Sequence, residues 1–381
     1  MIYLDNSATT RPLAEVVESF AKAAQTFFAN PSSMHKPGIQ AEQLLKQARL
    51  QIASILGVKP GEIIFTSGGT EGNNTAIKGI AYTYRSRGKH IITTAIEHPS
   101  VTNVCEQLKK DGFEITYLPV DRYGRVQVED VQAAIRDDTI LVSIMHVNNE
   151  VGSIQPIEEI GKLLQNYPKL FFHVDQVQGV GKVPLDYHDA HIDLATISAH
   201  KFHGMKGTGV LFVRDGVHFD PLLSGGGQEN NYRSGTENTA GIVAMAKALR
   251  LATENLEEKV EHMKAIQAYF LTELEKIPEI SLNTRTSICA PHIINFSVPG
   301  FKTEVLISAL SERGVYVSTT SACSVKRNEP SKTLLAMGLG DEIASSSVRI
   351  SLSFENTLDE AIAAMKAIRE CIHELKQVMR G

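Results

Sequence analysis

Between residues 62 and 214, short apolar runs alternate with stretches whose apolar positions recur at helical spacing. The runs at 62–66, 90–94, 114–119, 140–145, 170–174, 193–197 and 209–213 predict strands, and 74–85 and 157–166 predict helices between them. Alternation of this kind argues for a mostly parallel, doubly wound sheet covered by helices on both faces. A single long amphipathic helical pattern follows over 240–277. Strand runs at 292–297 and 348–353 and a final helix at 358–379 then predict a smaller α+β unit. No internal repeat interrupts this order.

Composition narrows the class of partner. The chain has 381 residues, 43% hydrophobic and 21% charged, enough to bury a large core in two or three domains' worth of length. A formal charge of -5 offers no basic field for nucleic acid or an anionic membrane. No apolar run approaches the roughly 18 residues of a membrane span, and MIYLDNSATT lacks a basic segment followed by an apolar one. The expectation is a cytoplasmic protein with a small-molecule or protein partner. Cys105, Cys289, Cys323 and Cys371 form no CxxC, so neither disulfides nor structural zinc are expected. HxxH at His200 and His203 lacks helical spacing and a nearby third ligand.

Open α/β sheets bind ligands beyond the carboxyl ends of their strands, and several of the predicted ends carry polar chemistry. The first strand runs into Ser67-Gly68-Gly69-Thr70-Glu71-Gly72 and then a helix. Free N–H groups and the positive dipole end make this an anion site suited to one phosphate monoester, although an ordinary βα turn would read the same. Asp175 follows the strand at 170–174, where a carboxylate can keep a ring nitrogen protonated or cap a turn. His98 ends another strand and could lie against a flat ring, while Asn148, Asn149 and Glu150 end a third. Lys201 lies past the strand at 193–197, beside Ser198 and His200. A partly desolvated amine there can form an imine with a carbonyl cofactor. Phosphate, cationic ring nitrogen, phenolic oxygen and aldehyde together describe pyridoxal 5'-phosphate.

The ordered strings YLDNSATT (3–10), FTSGGTEGNN (65–74), EHPS (97–100), MHVNNEVG (145–152), HVDQVQ (173–178), SAHKFHG (198–204), RSGTEN (233–238) and SAC (321–323) run nearly end to end. On these the chain resembles the NifS/IscS-type cysteine desulfurases, within the fold-type-I enzymes that use pyridoxal 5'-phosphate. The resemblance implies a large domain with a mostly parallel seven-stranded sheet at 16–254. It implies a smaller α+β domain from 1–15 and 255–381, carrying a catalytic-cysteine loop at about 318–332.

It also implies roles. Lys201 would hold the cofactor and move protons, Asp175 would pair with the pyridine nitrogen, His98 would stack on the ring, and Gln178 would bond the phenolic oxygen. Gly69, Thr70, Ser198 and His200 would hold the phosphate, joined by Thr236 from the partner subunit of a homodimer. Asn149 and Arg349 would bind the carboxylate of L-cysteine, Asn149 also facing the cofactor. Cys323 would take the sulfur as a persulfide and leave L-alanine, its thiolate favoured by Lys326 and Arg327. The sulfur would pass to an acceptor protein, an iron–sulfur scaffold or a tRNA-thiolating enzyme. Cys105, Cys289 and Cys371 read as buried structural thiols.

Met205, Asn230-Asn231-Tyr232 and Ser353-Phe354-Glu355-Asn356 depart from common family strings, away from the cofactor residues. The chain ends at Gly381, soon after its last helical pattern. That short tail leads to the expectation of a narrower acceptor, such as a tRNA-thiolating protein. A selenocysteine lyase or aminotransferase of the same fold, and a non-catalytic scaffold, are the competing readings. The cysteine at 323 speaks against the aminotransferase, and the joint presence of Lys201, Asp175, His98 and Cys323 speaks against the scaffold.

Overall fold

The computed structural model describes residues 1–285, 288–319 and 330–380. A short strand, β1 (Ile2–Tyr3), is followed by two helices outside the elements anticipated above, α1 (Ala14–Thr26) and α2 (Lys36–Leu56). Local chemistry sets the ends of α2. The His35 ring accepts from the Gly38 N–H at one end, and Gly57 closes the other at φ 68°.

The alternating segment then runs β2 (Ile63–Thr66), α3 (Gly69–Tyr84), β3 (His90–Thr94), α4 (Pro99–Lys110), β4 (Glu114–Leu118), α5 (Val128–Ala134) and β5 (Thr139–Met145). It continues through α6 (Ile157–Leu164), β6 (Phe171–Asp175), β7 (Leu194–Ser198) and β8 (Gly209–Val213). These strands form one seven-stranded sheet in the order β2-β8-β7-β6-β5-β3-β4. Neighbours from β7 to β4 pair in parallel, and β8 is antiparallel to both β2 and β7. Strands β2, β5, β7 and β8 are buried along their whole length, which is why they read as largely apolar runs rather than alternating ones. Four polar ends, those of β2, β3, β5 and β6, therefore emerge at one edge of the sheet, with β7.

Most boundaries shift by a residue or two from the sequence expectation, as where β6 takes in Asp175 and β7 takes in Ser198, and two departures are larger. Helix α3 begins at Gly69 rather than at 74, because two glycines and a threonine in its first turns hide it from a propensity argument. The pattern at 240–277 is two helices, α7 (Thr239–Thr253) and α8 (Leu256–Leu274), broken where Asn255 takes the left-handed conformation at φ 52°.

The remaining chain contributes β9 (Ser281–Leu282), β10 (Ile293–Ser297), α9 (Thr303–Glu312), β11 (Val315–Tyr316) and β12 (Ser318–Thr319). It finishes with α10 (Lys332–Ala336), α11 (Asp341–Ser345), β13 (Ser347–Ser351) and α12 (Leu358–Arg380). Strands β12-β13-β10-β9 form an antiparallel sheet, and β1 pairs in parallel with β11. One buried cluster joins Leu4 near the start of the chain to Phe270, Phe296, Leu310, Ile350 and Ile368. The thiols of Cys105 and Cys371 are buried as expected, whereas Cys289 is only half-buried. No described helix is long and apolar enough to cross a membrane.

Candidate active site

The turn from β2 into α3 is built on close approach. Gly68 sits at φ 142°, a conformation closed to residues with a side chain, and a Cβ there would meet Ser198 Oγ at 3.2 Å. A Cβ on Gly72 would lie 2.6 Å from Thr196 Cγ2, so the first turns of α3 press directly on β7. The start of α3 thus lies against Ser198, the buried last residue of β7. Thr70 is exposed on the same turn. Glu71 accepts from the Ser67 N–H and from Arg233 Nε at 2.8 Å, which ties the glycine-rich 225–238 segment to the turn. Burial pushes the Glu71 carboxyl up, but the bonds from Arg233 and Ser67 outweigh it and hold it below its ordinary value. Thr236, on that segment, is exposed in the single chain.

Asp175 ends β6 and is buried. One carboxylate oxygen accepts from Asn73 Nδ2 at 2.7 Å and the other from the Val177 N–H at 3.0 Å. Asn73, on α3, also donates to Ser100 Oγ at 2.8 Å. Ser100 in turn contacts His98 Nδ1 at 2.8 Å and donates its backbone N–H to the same nitrogen. His98 is thereby locked as the N-cap of α4. Burial drives its pKa below the ordinary histidine value, a fall opposed by Asp175 and reinforced by Lys201. A neutral, fixed imidazole beside a buried carboxylate can lie against a flat cationic ring. Adjacent Glu97 is buried, and desolvation raises its pKa to about 8.

Lys201 ends a short 3-10 turn directly after β7. Its Nζ donates to the carbonyls of Ser7 and, at 2.9 Å, Ala8. Gln178 Nε2 donates to the same Ser7 carbonyl at 3.0 Å, and its Oε1 lies 3.4 Å from His292 Nε2. His200 sits beside Thr9, 3.2 Å from its Oγ1, with a pKa lowered to about 4 by burial and by the charges of Lys201, Lys206 and Lys182. The N-terminal segment therefore closes over the lysine from more than 190 positions away in sequence.

Arg349, on β13, is buried. Its guanidinium donates to the Asn149 carbonyl at 2.8 Å and to Asp5 Oδ1 at 2.9 Å, while Nε has no hydrogen-bond partner among the described residues. Half-buried Glu150 accepts from Ser331 Oγ at 2.5 Å; desolvation raises its pKa, with Ser331, Thr333 and Arg349 opposing. Ser318 is the register partner of Arg349. The chain thus leaves the described residues opposite Arg349 and returns beside Glu150. Cys323, Lys326 and Arg327 lie outside the described residues.

Of the residues singled out in sequence, the fold brings Gly69, His98, Asp175, Gln178, Ser198, His200 and Lys201 to one edge of the sheet, with Asn149 and Arg349 joined to each other. It adds Ser7, Ala8, Asn73 and Asp5, which no strand-end argument selects, although each lies within a quoted string.

The class-V aminotransferase family matches residues 2–363. A NifS/IcsS protein homolog of Lactobacillus delbrueckii is 46% identical over 380 residues, covering 99% of both chains. The chain belongs to the NifS/IscS-type class-V aminotransferases. Another member, the cysteine desulfurase IscS of Dictyoglomus turgidum, is 44% identical over 378 residues, covering 99% of this chain and 96% of its own. Among solved structures of the family, a NifS-like protein superposes with a TM-score of 0.92 at 39% identity, over 98% of this chain and 99% of its own. A NifS-like protein from Rickettsia africae gives a TM-score of 0.87 at 33% identity, with 98% and 99% coverage.

Proposed function

We propose that this NifS/IscS-type chain is a pyridoxal 5'-phosphate-dependent cysteine desulfurase. The carrying observation is that Asp175 ends β6 and Lys201 follows its parallel neighbour β7, with the α3 N-terminus over the same edge. The residues fit that cofactor. Gly68 leaves room where a Cβ would crowd Ser198, the first N–H groups of α3 can receive a phosphate, and Asp175 is held as an acceptor by Asn73. Lys201 would hold it covalently, Asp175 would face its ring nitrogen, His98 would lie on its ring and Gln178 would reach its phenolic oxygen. Gly69, Thr70, Ser198, His200 and the partner's Thr236 would take the phosphate. When bound, the cofactor supplies an electron sink for the carbon skeleton of the amino acid.

The protein's own groups would do the rest. Arg349 would take the substrate carboxylate through a fork already oriented by Asp5 and Asn149. Lys201 Nζ would remove and return protons at the substrate Cα. Cys323 Sγ would form an S–S bond to the substrate sulfur as its C–S bond breaks, so that L-cysteine and a protein thiol become L-alanine and a persulfide. The positions of Ser318 opposite Arg349 and of Ser331 on Glu150 support Cys323 acting at this site.

We infer the division at 16–254 against 1–15 with 255–381 from the buried cluster that joins Leu4 to the last third of the chain. Exposed apolar side chains such as Phe28 and Met34 support a homodimer that buries them. Cytoplasmic residence and transfer to an iron–sulfur scaffold or a tRNA-thiolating enzyme complete the reading.

The test is L-alanine and sulfide formation from L-cysteine with a thiol reductant. Equal amounts from the wild type and neither from Cys323→Ala support it. A Cys323→Ala protein matching wild type sinks the persulfide step, and no alanine from the wild type sinks the activity.

A further inference from the structure

Lys182 is a lysine in the wrong place for an ordinary lysine. It is buried at 7% exposure, in the turn that follows Gln178. The charged and titratable groups around it are Lys201 and His200 on the short turn, His203 just beyond, and His292 ahead of β10. Burial, with a contribution from Lys201, lowers its own pKa to about 7. An aliphatic side chain would fill such a position without that desolvation penalty.

What the amine does there is specific. The 3-10 turn Ala199–Lys201 presents its carbonyls in succession. The Ala199 carbonyl accepts from the Phe202 and Gly204 N–H groups, and the His200 carbonyl from the Thr10 N–H at 2.8 Å. The Lys201 carbonyl accepts from Lys182 Nζ at 2.8 Å. Main-chain donors, joined at His200 by the Thr10 hydroxyl at 3.0 Å, hold the first two carbonyls, and the Lys182 side chain, reaching across from the β6–β7 connection, holds the third.

We propose that Lys182 is a positioning residue for Lys201: its amine grips the Lys201 carbonyl and so aims the Lys201 side chain at the carbonyl compound it captures. The proposal rests on Lys201 being the cofactor-bearing lysine. Bond rotation about the Lys201 backbone would otherwise let Nζ leave the Ser7 and Ala8 carbonyls, and sub-ångström placement decides the rate of a bond-forming encounter.

The test uses cofactor-free full-length protein without cysteine. Pyridoxal 5'-phosphate is added, the adduct is trapped by borohydride at successive times, and the Lys201 peptide is quantified by mass spectrometry. Lys182→Met keeps the volume and removes the donor; capture by Lys201 should slow on the order of tenfold, as expected for losing one charge-assisted hydrogen bond. Lys182→Gln retains an N–H donor and should recover most of the rate. Circular dichroism and thermal midpoints establish that both variants fold, and a purely structural lysine would alter midpoints without this order of capture rates. Lys182→Met capturing at the wild-type rate overturns the proposal, as does a folded Lys182→Gln no faster than Lys182→Met. Wild-type protein that never labels Lys201 overturns the cofactor reading itself, a different failure from that of the alanine assay.

Discussion

Asp5 and Arg349 meet at 2.9 Å across 344 positions of sequence, the aspartate half-exposed and the guanidinium buried. The pair ties the N-terminal segment to the small antiparallel sheet: Asp5 follows β1 and bridges to Ser351, and Arg349 lies in the middle of β13. The same guanidinium reaches the Asn149 carbonyl beyond β5, so one side chain joins the first residues, the large sheet and the last third of the chain.

Removing one partner of that pair strands the other. Asp5→Ala should destabilise the protein by about 2 kcal/mol, less than for a fully buried pair because Asp5 retains access to water. Asp5→Ala/Arg349→Met should recover most of the loss, since neither charge is then stranded. Urea midpoints for the single and double variants measure both. A double variant as unstable as the sum of the singles would show that the pair is not coupled.

Asn73 bridges Asp175 and Ser100, and through Ser100 reaches His98. Asn73→Ala should leave Asp175 short of a donor and weaken pyridoxal 5'-phosphate binding by about tenfold, the effect of one hydrogen bond to a charged group. Absorbance titration of cofactor-free protein reads it. Unchanged affinity would assign Asn73 a purely structural part.

Two buried groups give stability opposite dependences on pH. Glu97, with its pKa raised to about 8, binds a proton in the folded state that the unfolded chain has already released above about 4.5. Its contribution is complete below the unfolded value and is lost as pH rises through about 8. Glu97→Gln should therefore stabilise the protein at pH 7 to 8, by on the order of a few kcal/mol, and flatten the decline. Denaturation midpoints between pH 5 and 8 decide it; a slope identical to wild type would exclude Glu97 as the source.

For Lys182 the sign reverses. Its folded pKa is lowered to about 7 from 10.5, so the unfolded chain binds more protons between those values and stability rises with pH across the interval. Lys182→Met should abolish that rise. The comparison needs only midpoints at pH 7 and about 10, and an undiminished rise in the variant would place the titrating group elsewhere.

Gly72 lets α3 lie against β7, where a methyl group would sit 2.6 Å from Thr196 Cγ2. Gly72→Ala should cost about 1–3 kcal/mol by overpacking and displace the turn from β2 into α3. A thermal midpoint at the wild-type value would mean that Thr196 rotates away freely.

The sequence by itself determined the strand ends and the residues at them. Strands buried on both faces are largely apolar, so the polar residues at or just beyond their ends, Asp175, His98 and Ser198 with Lys201 beyond, are visible without coordinates. The first turn of α3 and the break at Asn255 were not visible in that way, because glycine conceals a helix start and a left-handed asparagine leaves the apolar period uninterrupted. Tertiary structure alone decided which distant groups meet: Ser7 and Ala8 on Lys201, Asp5 on Arg349, and Lys182 on the Lys201 carbonyl. Periodicity reports which face a residue occupies. Contacts between segments 19 to 344 residues apart depend on how sheets and helices pack, which no local pattern encodes.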